Sequence, residues 1–387
     1  GKVHIINFEM NPDIHVIFEQ NLDSNRIISD LEMVLNNRIK PDEDLLFFDE
    51  IQECPKAIMS LRYFYEQNPA IHIIAAGSLL EFALQNISFP IGRLQLLSMY
   101  PMTFKEFLIA NQKTIILERI ANINEPPPDN IIKIINEELY KYFIIGGMPE
   151  CVKTFIKTNS YVKVSQIQSD LIATFRQDFS KYAGHSDKRC LNAVLSSVSQ
   201  KVGTQIKYTH LSDSFSQPTI KKAYQLLNTA NLFTNIKSAS PTGIPLGASV
   251  SDKKNKAVFL DIGLLSNING FQSLKLLPEK KMQAAFNGMM AEQFIGQELQ
   301  VTTNENLYFW SRSKRSSNAE IDYLIEKNGE IIPIEVKSGA SGSLKSLHLL
   351  LNTFKNIKIS YVFTNNKYGE IPEQKIKFFP LYCVGFT

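Results

Sequence analysis

Long apolar runs are missing from this chain. No stretch approaches the roughly 18 residues needed to cross a bilayer, so no membrane anchor is expected. No charged-then-apolar leader opens the sequence. Cysteine is sparse: Cys54, Cys151, Cys190 and Cys383 form no C-x-x-C pair, and no histidine is spaced to share a zinc ion with them. Scattered thiols of this kind fit a reducing compartment, and a cytoplasmic location is expected. The six histidines are dispersed, and no Ser/His/Asp set can be assembled. An excess of one charge is also lacking. A net charge of +3 does not announce a nucleic-acid partner, so any such contact must come from a local patch. The phosphate-cradling loop G-x-x-x-x-G-K-[ST] occurs nowhere, and Gly146-Gly147 has the wrong spacing to replace it.

What is present is the composition of a soluble globular protein, 387 residues with 44% hydrophobic and 20% charged, enough for two to four domains. The most informative stretch is A-E-I-D-Y-L-I-E-K-N-G-E-I-I-P-I-E-V-K at 319–337. Asn328-Gly329 between two alternating runs predicts a two-residue hairpin with a type I′ turn. Lys327 then opposes Glu330, Asp322 opposes Glu335, and Glu320 opposes Lys337. One face carries Ile321, Tyr323, Ile325, Ile332, Ile334 and Val336; the other gathers Glu320, Asp322, Glu335 and Lys337. Facing carboxylates repel, so the arrangement is costly unless a cation lies between them. Dense oxygen ligands suit a hard divalent ion such as Mg²⁺, with Lys337 near enough to polarise a phosphate or a water. The alternative is a solvated outer face closed by a Glu320–Lys337 pair.

Around the hairpin, Met282, Phe286, Met289, Met290 and Phe294 recur at helical spacing, with Glu292 beside their stripe. A short strand at Leu307–Trp310 follows, then the hairpin, a helix around Leu344–Phe354, and strands at Ile357–Thr364 and Lys375–Phe386. This order and the E-V-K signature resemble the PD-(D/E)xK, or restriction-endonuclease-like, fold over roughly the last hundred residues. The resemblance implies Glu292, Asp322 and Glu335 as metal ligands, with Glu335 and Lys337 in catalysis.

In the front half, V-H-I-I-N-F at 3–8, L-L-F-F at 45–48 and I-H-I-I-A-A at 71–76 are unbroken apolar runs. Helical patterns at Arg26–Asn36 and Pro55–Tyr65 separate them. Such an alternation predicts a parallel sheet covered on both faces, with its chemistry at the strands' carboxyl ends. Asp49-Glu50 and Gly77-Ser78 fall there. L-L-F-F-D-E-I-Q-E-C-P, A-A-G-S-L-L-E-F, Y-P-M-T-F-K-E-F-L, Y-F-I-I-G-G-M-P-E and F-L-D-I-G-L-L resemble bacterial and archaeal AAA+-superfamily ATPases fused to a nuclease-fold domain. That resemblance spans the chain. It implies a Walker B element in which Asp49 holds Mg²⁺ and Glu50 orients the attacking water. It further implies Ser78 as sensor, Arg93 as a phosphate contact, and ATP with Mg²⁺ as cofactors. The family's P-loop would precede Val3. A segment upstream of Gly1 is therefore expected, and this chain alone is not expected to hydrolyse ATP.

Between these parts, Pro126-Pro127-Pro128 reads as a linker, and Asn130–Phe143 and Tyr161–Tyr182 as lid helices. Helices at Leu191–Lys201, Thr209–Phe215 and Gln217–Asn231, then a hairpin from Leu232 to Leu260, read as a winged helix, with Lys253, Lys254 and Lys256 on the returning arm. Its third helix places Gln217, Thr219, Lys221 and Lys222 where recognition helices contact nucleic acid. A winged helix used only for packing is the alternative. The expected architecture is α/β and multidomain. It comprises a P-loop-type parallel core lacking its first strand at 1–125, a helical lid at 126–186, a winged helix at 187–265 and a restriction-endonuclease-like domain at 280–387. An ATPase coupled to a nucleic-acid-binding nuclease fold is the leading function. A non-catalytic nucleic-acid-binding or regulatory protein is the alternative, and an oligomer is compatible with both.

Overall fold

The computed structural model describes residues 1–78, 80, 82, 92–122, 127–182, 187–270, 280–303, 306–314, 317–338 and 343–387. Leu79, Glu81 and Pro126 of the patterns above, and the side chains of Met282 and Phe286, lie outside the described residues. The protein is mixed α/β and divides into two compact units, Gly1–Met99 and Tyr100–Thr387.

The first unit is a three-stranded parallel sheet in the order β1 (Val3–Asn7), β2 (Leu45–Asp49), β3 (His72–Ala75). Helices α1 (His15–Gln20), α2 (Ser24–Leu35) and α3 (Pro55–Gln67) connect the strands. Local chemistry sets the helix starts. Asp23 accepts the amides of Asn25 and Arg26 at the head of α2, and Pro55 opens α3, where its missing N–H costs nothing. Phe8, Phe18, Phe48 and Phe64 form the core, with edge-on ring pairs 5.5–6.2 Å apart. The sheet is not covered on both faces as expected. Ile6, Leu46 and Phe48 are buried, whereas Val3, Ile5 and Ile74 are more than half exposed.

The second unit opens with α4 (Phe104–Ala110), α5 (Thr114–Ala121), α6 (Asp129–Ile145), α7 (Pro149–Thr158), α8 (Tyr161–Tyr182), α9 (Lys188–Gln200) and α10 (Gln217–Thr229). The helix expected at Thr209–Phe215 is only a 3₁₀ turn, Tyr208–His210. Ser212 accepts the amide of Ser214 there, a local bond that competes with helix continuation. Then follow β4 (Phe233–Ala239), β5 (Val250–Phe259), α11 (Ile262–Ile268), α12 (Lys280–Thr302), β6 (Tyr308–Lys314), β7 (Ser317–Lys327), β8 (Glu330–Lys337), α13 (Lys345–Thr353), β9 (Ser360–Thr364), β10 (Gly369–Ile371) and β11 (Ile376–Pro380). Residues 381–386, read from sequence as strand, form a 3₁₀ helix.

These strands build one sheet in the order β10-β11-β9-β8-β7-β6-β4-β5. The β4–β5 hairpin, expected as a wing, joins it through parallel pairing of Lys237 and Ser238 with Tyr308 and Phe309. β5 is therefore an edge strand beside β4, and its residues run along the same sheet as the acidic hairpin.

Candidate functional site

Asn328 and Gly329 have φ values of 51° and 75°, as a type I′ turn requires. β7 and β8 pair from Lys327↔Glu330 to Tyr323↔Ile334, the expected register. Next comes a bulge: β6 aligns Tyr308 with Leu324 but Trp310 with Ile321, so Asp322 and Tyr323 together face Phe309. Ile321 consequently turns to the opposite side of the sheet. It packs with Trp310, Leu324 and Ile331, while Tyr323, Ile325, Ile332 and Ile334 fill the other core. Beyond the last paired residues the Asp322 Oδ2 accepts the Val336 amide at 2.8 Å.

The bulge gathers three acids from two elements around one ammonium group. Lys256 of β5 has its Nζ 2.5 Å from Glu292 of α12, 2.9 Å from Glu320 and 3.7 Å from Asp322. The Lys256 side chain is 3% exposed and lies 5.6 Å from the Phe309 ring centroid. Gln205 donates to Glu320 at 2.5 Å. Gly203 (φ +80°) lies so close that a Cβ there would be 2.9 Å from a Glu292 oxygen. Glu335 pairs with Lys337 at 2.5 Å through Oε1, while its buried Oε2 has no hydrogen-bond partner. Burial drives the Glu292 carboxyl well above its ordinary range; Lys256 pulls it down and Asp322 pushes it up. Burial, and then Asp322, raise Glu335 in the same way. Burial alone would lower Lys256, but Glu292, Asp322 and Glu320 keep it charged and far above the usual lysine range.

The structure thus brings Glu292, Asp322, Glu335 and Lys337 into one cluster and adds Lys256, Glu320 and Gln205. Among the described residues no group of three His, Cys, Asp or Glu side chains is arranged to hold a metal ion. As placed, the donors do not fit one. Lys256 fills the space between three carboxylates, and Asp322 spends an oxygen on a backbone amide. Sequence reading put Lys256 on the returning arm of a wing, yet it leads directly into the buried run Ala257-Val258-Phe259. That adjacency was the available signal. Lys254 donates to the Ser311 carbonyl at 3.1 Å, and Lys253 is exposed.

A different constellation closes the strands of the first unit. Asp49 ends β2 beside Asn7 of β1, whose Nδ2 donates to Asp49 Oδ2 at 2.8 Å. Glu50 adopts a left-handed conformation (φ 52°), uncommon for a side chain with a Cβ and of the kind that marks functional turns. Gln52 donates to Glu50 at 2.6 Å. Gly77, after β3, approaches so closely that a Cβ would be 2.2 Å from Gln52 Oε1. Ser78 follows, exposed, so Asp49, Glu50 and Ser78 share the carboxyl edge of the sheet. Asp49 and Glu50 are half-buried, and a nucleotide-borne Mg²⁺ fits so open a carboxylate. Arg93 is elsewhere, 2.9 Å from Glu66, which also pairs with Arg62.

The remaining sequence patterns converge in the second unit without forming a reaction centre. Glu298 accepts the Phe104 amide at 2.8 Å, and Tyr142 donates to the Met102 carbonyl at 2.6 Å. Asp261 accepts the Gly147 and Leu264 amides at 2.6 and 2.9 Å. Gln297 accepts Ile262 N–H and donates to the Tyr142 hydroxyl. T-F-K-E-F, G-G-M-P-E and L-D-I-G-L are thus tied to one another and to α12 by buried polar bonds. At α10, Gln217, Lys221 and Lys222 are exposed and Thr219 is half-buried, bonded to Ser216 at 2.8 Å.

Comparison with known proteins matches three parts of the chain. Residues 2–108 match the family model described as an AAA domain. Residues 136–275 and 287–384 match two domains of unknown function, DUF8612 and DUF4143. The first match supports an AAA-like ATPase domain at the front of the chain. No curated protein matches the chain. Among solved structures, protein VC1899 from Vibrio cholerae aligns with 9% identity over 99% of this chain and 95% of that one, at a TM-score of 0.22. No helix among the described residues is long and apolar enough to cross a membrane.

Proposed function

We propose that this chain is the Walker B-bearing part of an AAA-type ATPase. The observation that carries the reading is the carboxyl edge of the first sheet, inside the region matched as an AAA domain. There Asp49 is oriented by Asn7, and Glu50 is held by Gln52 in a left-handed turn. Asp49 would hold Mg²⁺, which when bound with ATP neutralises phosphate charge. Glu50 orients the attacking water and takes up its proton, with Ser78 at the next strand end sensing the phosphate. Because G-x-x-x-x-G-K-[ST] is absent from these 387 residues, the test uses this chain with any coding sequence found upstream of Gly1. Glu50→Gln should keep ATP binding and lower turnover by about 10²-fold or more. Unchanged turnover in that variant dismisses the reading. This chain alone should not hydrolyse ATP.

For the second unit the placement of Lys256 favours a nuclease-like fold that does not cut as it stands. Its role would be to contact nucleic acid or regulate. The exposed Lys221 and Lys222 at the head of α10 supply a duplex-facing patch. Lys221→Ala/Lys222→Ala should weaken duplex binding and reduce its salt slope by roughly two charges; an unchanged slope removes α10 from the interface.

A further inference from the structure

The acidic cluster of the second unit already contains a cation, and that cation is badly bonded. Lys256 Nζ lies within 4 Å of three carboxylates, yet it satisfies hydrogen-bond geometry with none of them. Buried Glu292 Oε1 and Glu335 Oε2 are likewise without hydrogen-bond partners. An ammonium group binds best through three directed N–H donors. Here it acts instead as a point charge at the focus of oxygen donors from α12 and β7, which is the part a metal ion plays. Lys256 is supplied by an edge strand, β5, whose outer side is bridged by Ile206 at the neighbouring Asn255.

We propose that Lys256 is a resident counter-ion holding the place of a divalent cation among Glu292, Glu320 and Asp322, and that removing its ammonium group turns the cluster into a divalent metal site with Glu335 as an added ligand. The lysine would thereby keep the site metal-free. Metal binding itself needs only the geometry above; what the loaded site would then do rests on the nuclease-like reading. Two of the gaps between the Lys256 nitrogen and these oxygens, 2.9 and 3.7 Å, exceed metal–oxygen distances of about 2.0–2.6 Å. The shell must therefore contract, which favours an ion with adaptable coordination, and Mn²⁺ is the convenient probe.

The experiment titrates MnCl₂ into the full chain and counts free Mn²⁺ by electron paramagnetic resonance. Wild type should show no saturable site. Lys256→Met should bind one Mn²⁺ per chain at least about tenfold more tightly, and Lys256→Met/Asp322→Asn should lose that site. Equal binding by wild type and Lys256→Met overturns the inference. If Lys256→Met is unfolded in chelator, recovery of its circular dichroism on adding Mn²⁺ supports the inference, and no recovery overturns it. Mn²⁺ binding without cleavage of single- or double-stranded DNA supports it too, while dismissing the nuclease reading.

Discussion

The two acidic sites of this protein are held by opposite kinds of partner. At the end of β2 the neighbours are amides: Asn7 on Asp49 and Gln52 on Glu50. In the second sheet they are ammonium groups, Lys256 on Glu292, Glu320 and Asp322, and Lys337 on Glu335. An amide orients a carboxylate and leaves its charge available to a cation arriving from outside. An ammonium group cancels the charge in place. The first arrangement suits a site that receives a metal with its nucleotide and releases both. The second suits an acidic cluster that must stay stable while nothing is bound. Burial enforces the difference: Asp49 and Glu50 are half-buried, whereas Glu335 is 4% exposed and could not remain there ionised and unpaired at modest cost.

The contrast is broken most directly by removing one partner from each site. Lys256→Met leaves three carboxylates crowded without their cation. It should lower stability by about 3–5 kcal/mol at neutral pH, the usual loss when a buried ion pair is halved. Asn7→Ala removes two hydrogen bonds at a half-buried edge, one given to Asp49 and one accepted from the Met10 amide, and should cost only about 1–3 kcal/mol. Urea unfolding of both variants, followed by circular dichroism, measures the two losses. Comparable values would mean that the Lys256 cluster is wetter than its geometry indicates, and the distinction drawn here would fall.

Legibility from sequence followed the range of the interactions. The Asn328-Gly329 turn was readable because two adjacent residues suffice to demand two positive φ angles, and the pairing up to Tyr323↔Ile334 followed from it. The place of Asp49 and Glu50 at the carboxyl end of β2 was readable for a similar reason, four apolar residues and then two acids. The bulge at Asp322 and Tyr323 was not, because β6 imposes it through Phe309, outside the hairpin. That one displaced residue sent Ile321 to the other core. Lys256 was misplaced because β5 looked like the arm of a free wing, whereas the parallel pairing of β4 with β6 carries the whole hairpin into the sheet. Glu298 escaped notice, and Asp261 was seen only as part of F-L-D-I-G-L-L, with no role. Each satisfies backbone amides far away in the chain, at Phe104 and Gly147, and nothing in their local pattern signals that.

The buried acids also give the second unit a pH signature. Burial raises the Glu298 carboxyl to about 8, against roughly 4.3 for an exposed glutamate. The folded protein therefore holds this proton at pH values where the unfolded chain has released it. Folding is favoured by that difference below about pH 4.5, and the contribution is lost as pH rises through about 8. Asp261, raised by burial to about 6, acts in the same direction at lower pH. One such carboxyl sets a slope of at most about 1.4 kcal/mol per pH unit. Glu298→Gln keeps an oxygen for the Phe104 amide, 2.8 Å away, and cannot ionise. Its urea midpoint should therefore fall less steeply than that of wild type between about pH 5 and pH 8. If the two curves run parallel, Glu298 shares its proton with the solvent in both states, and the burial argument fails at the residue where it is strongest.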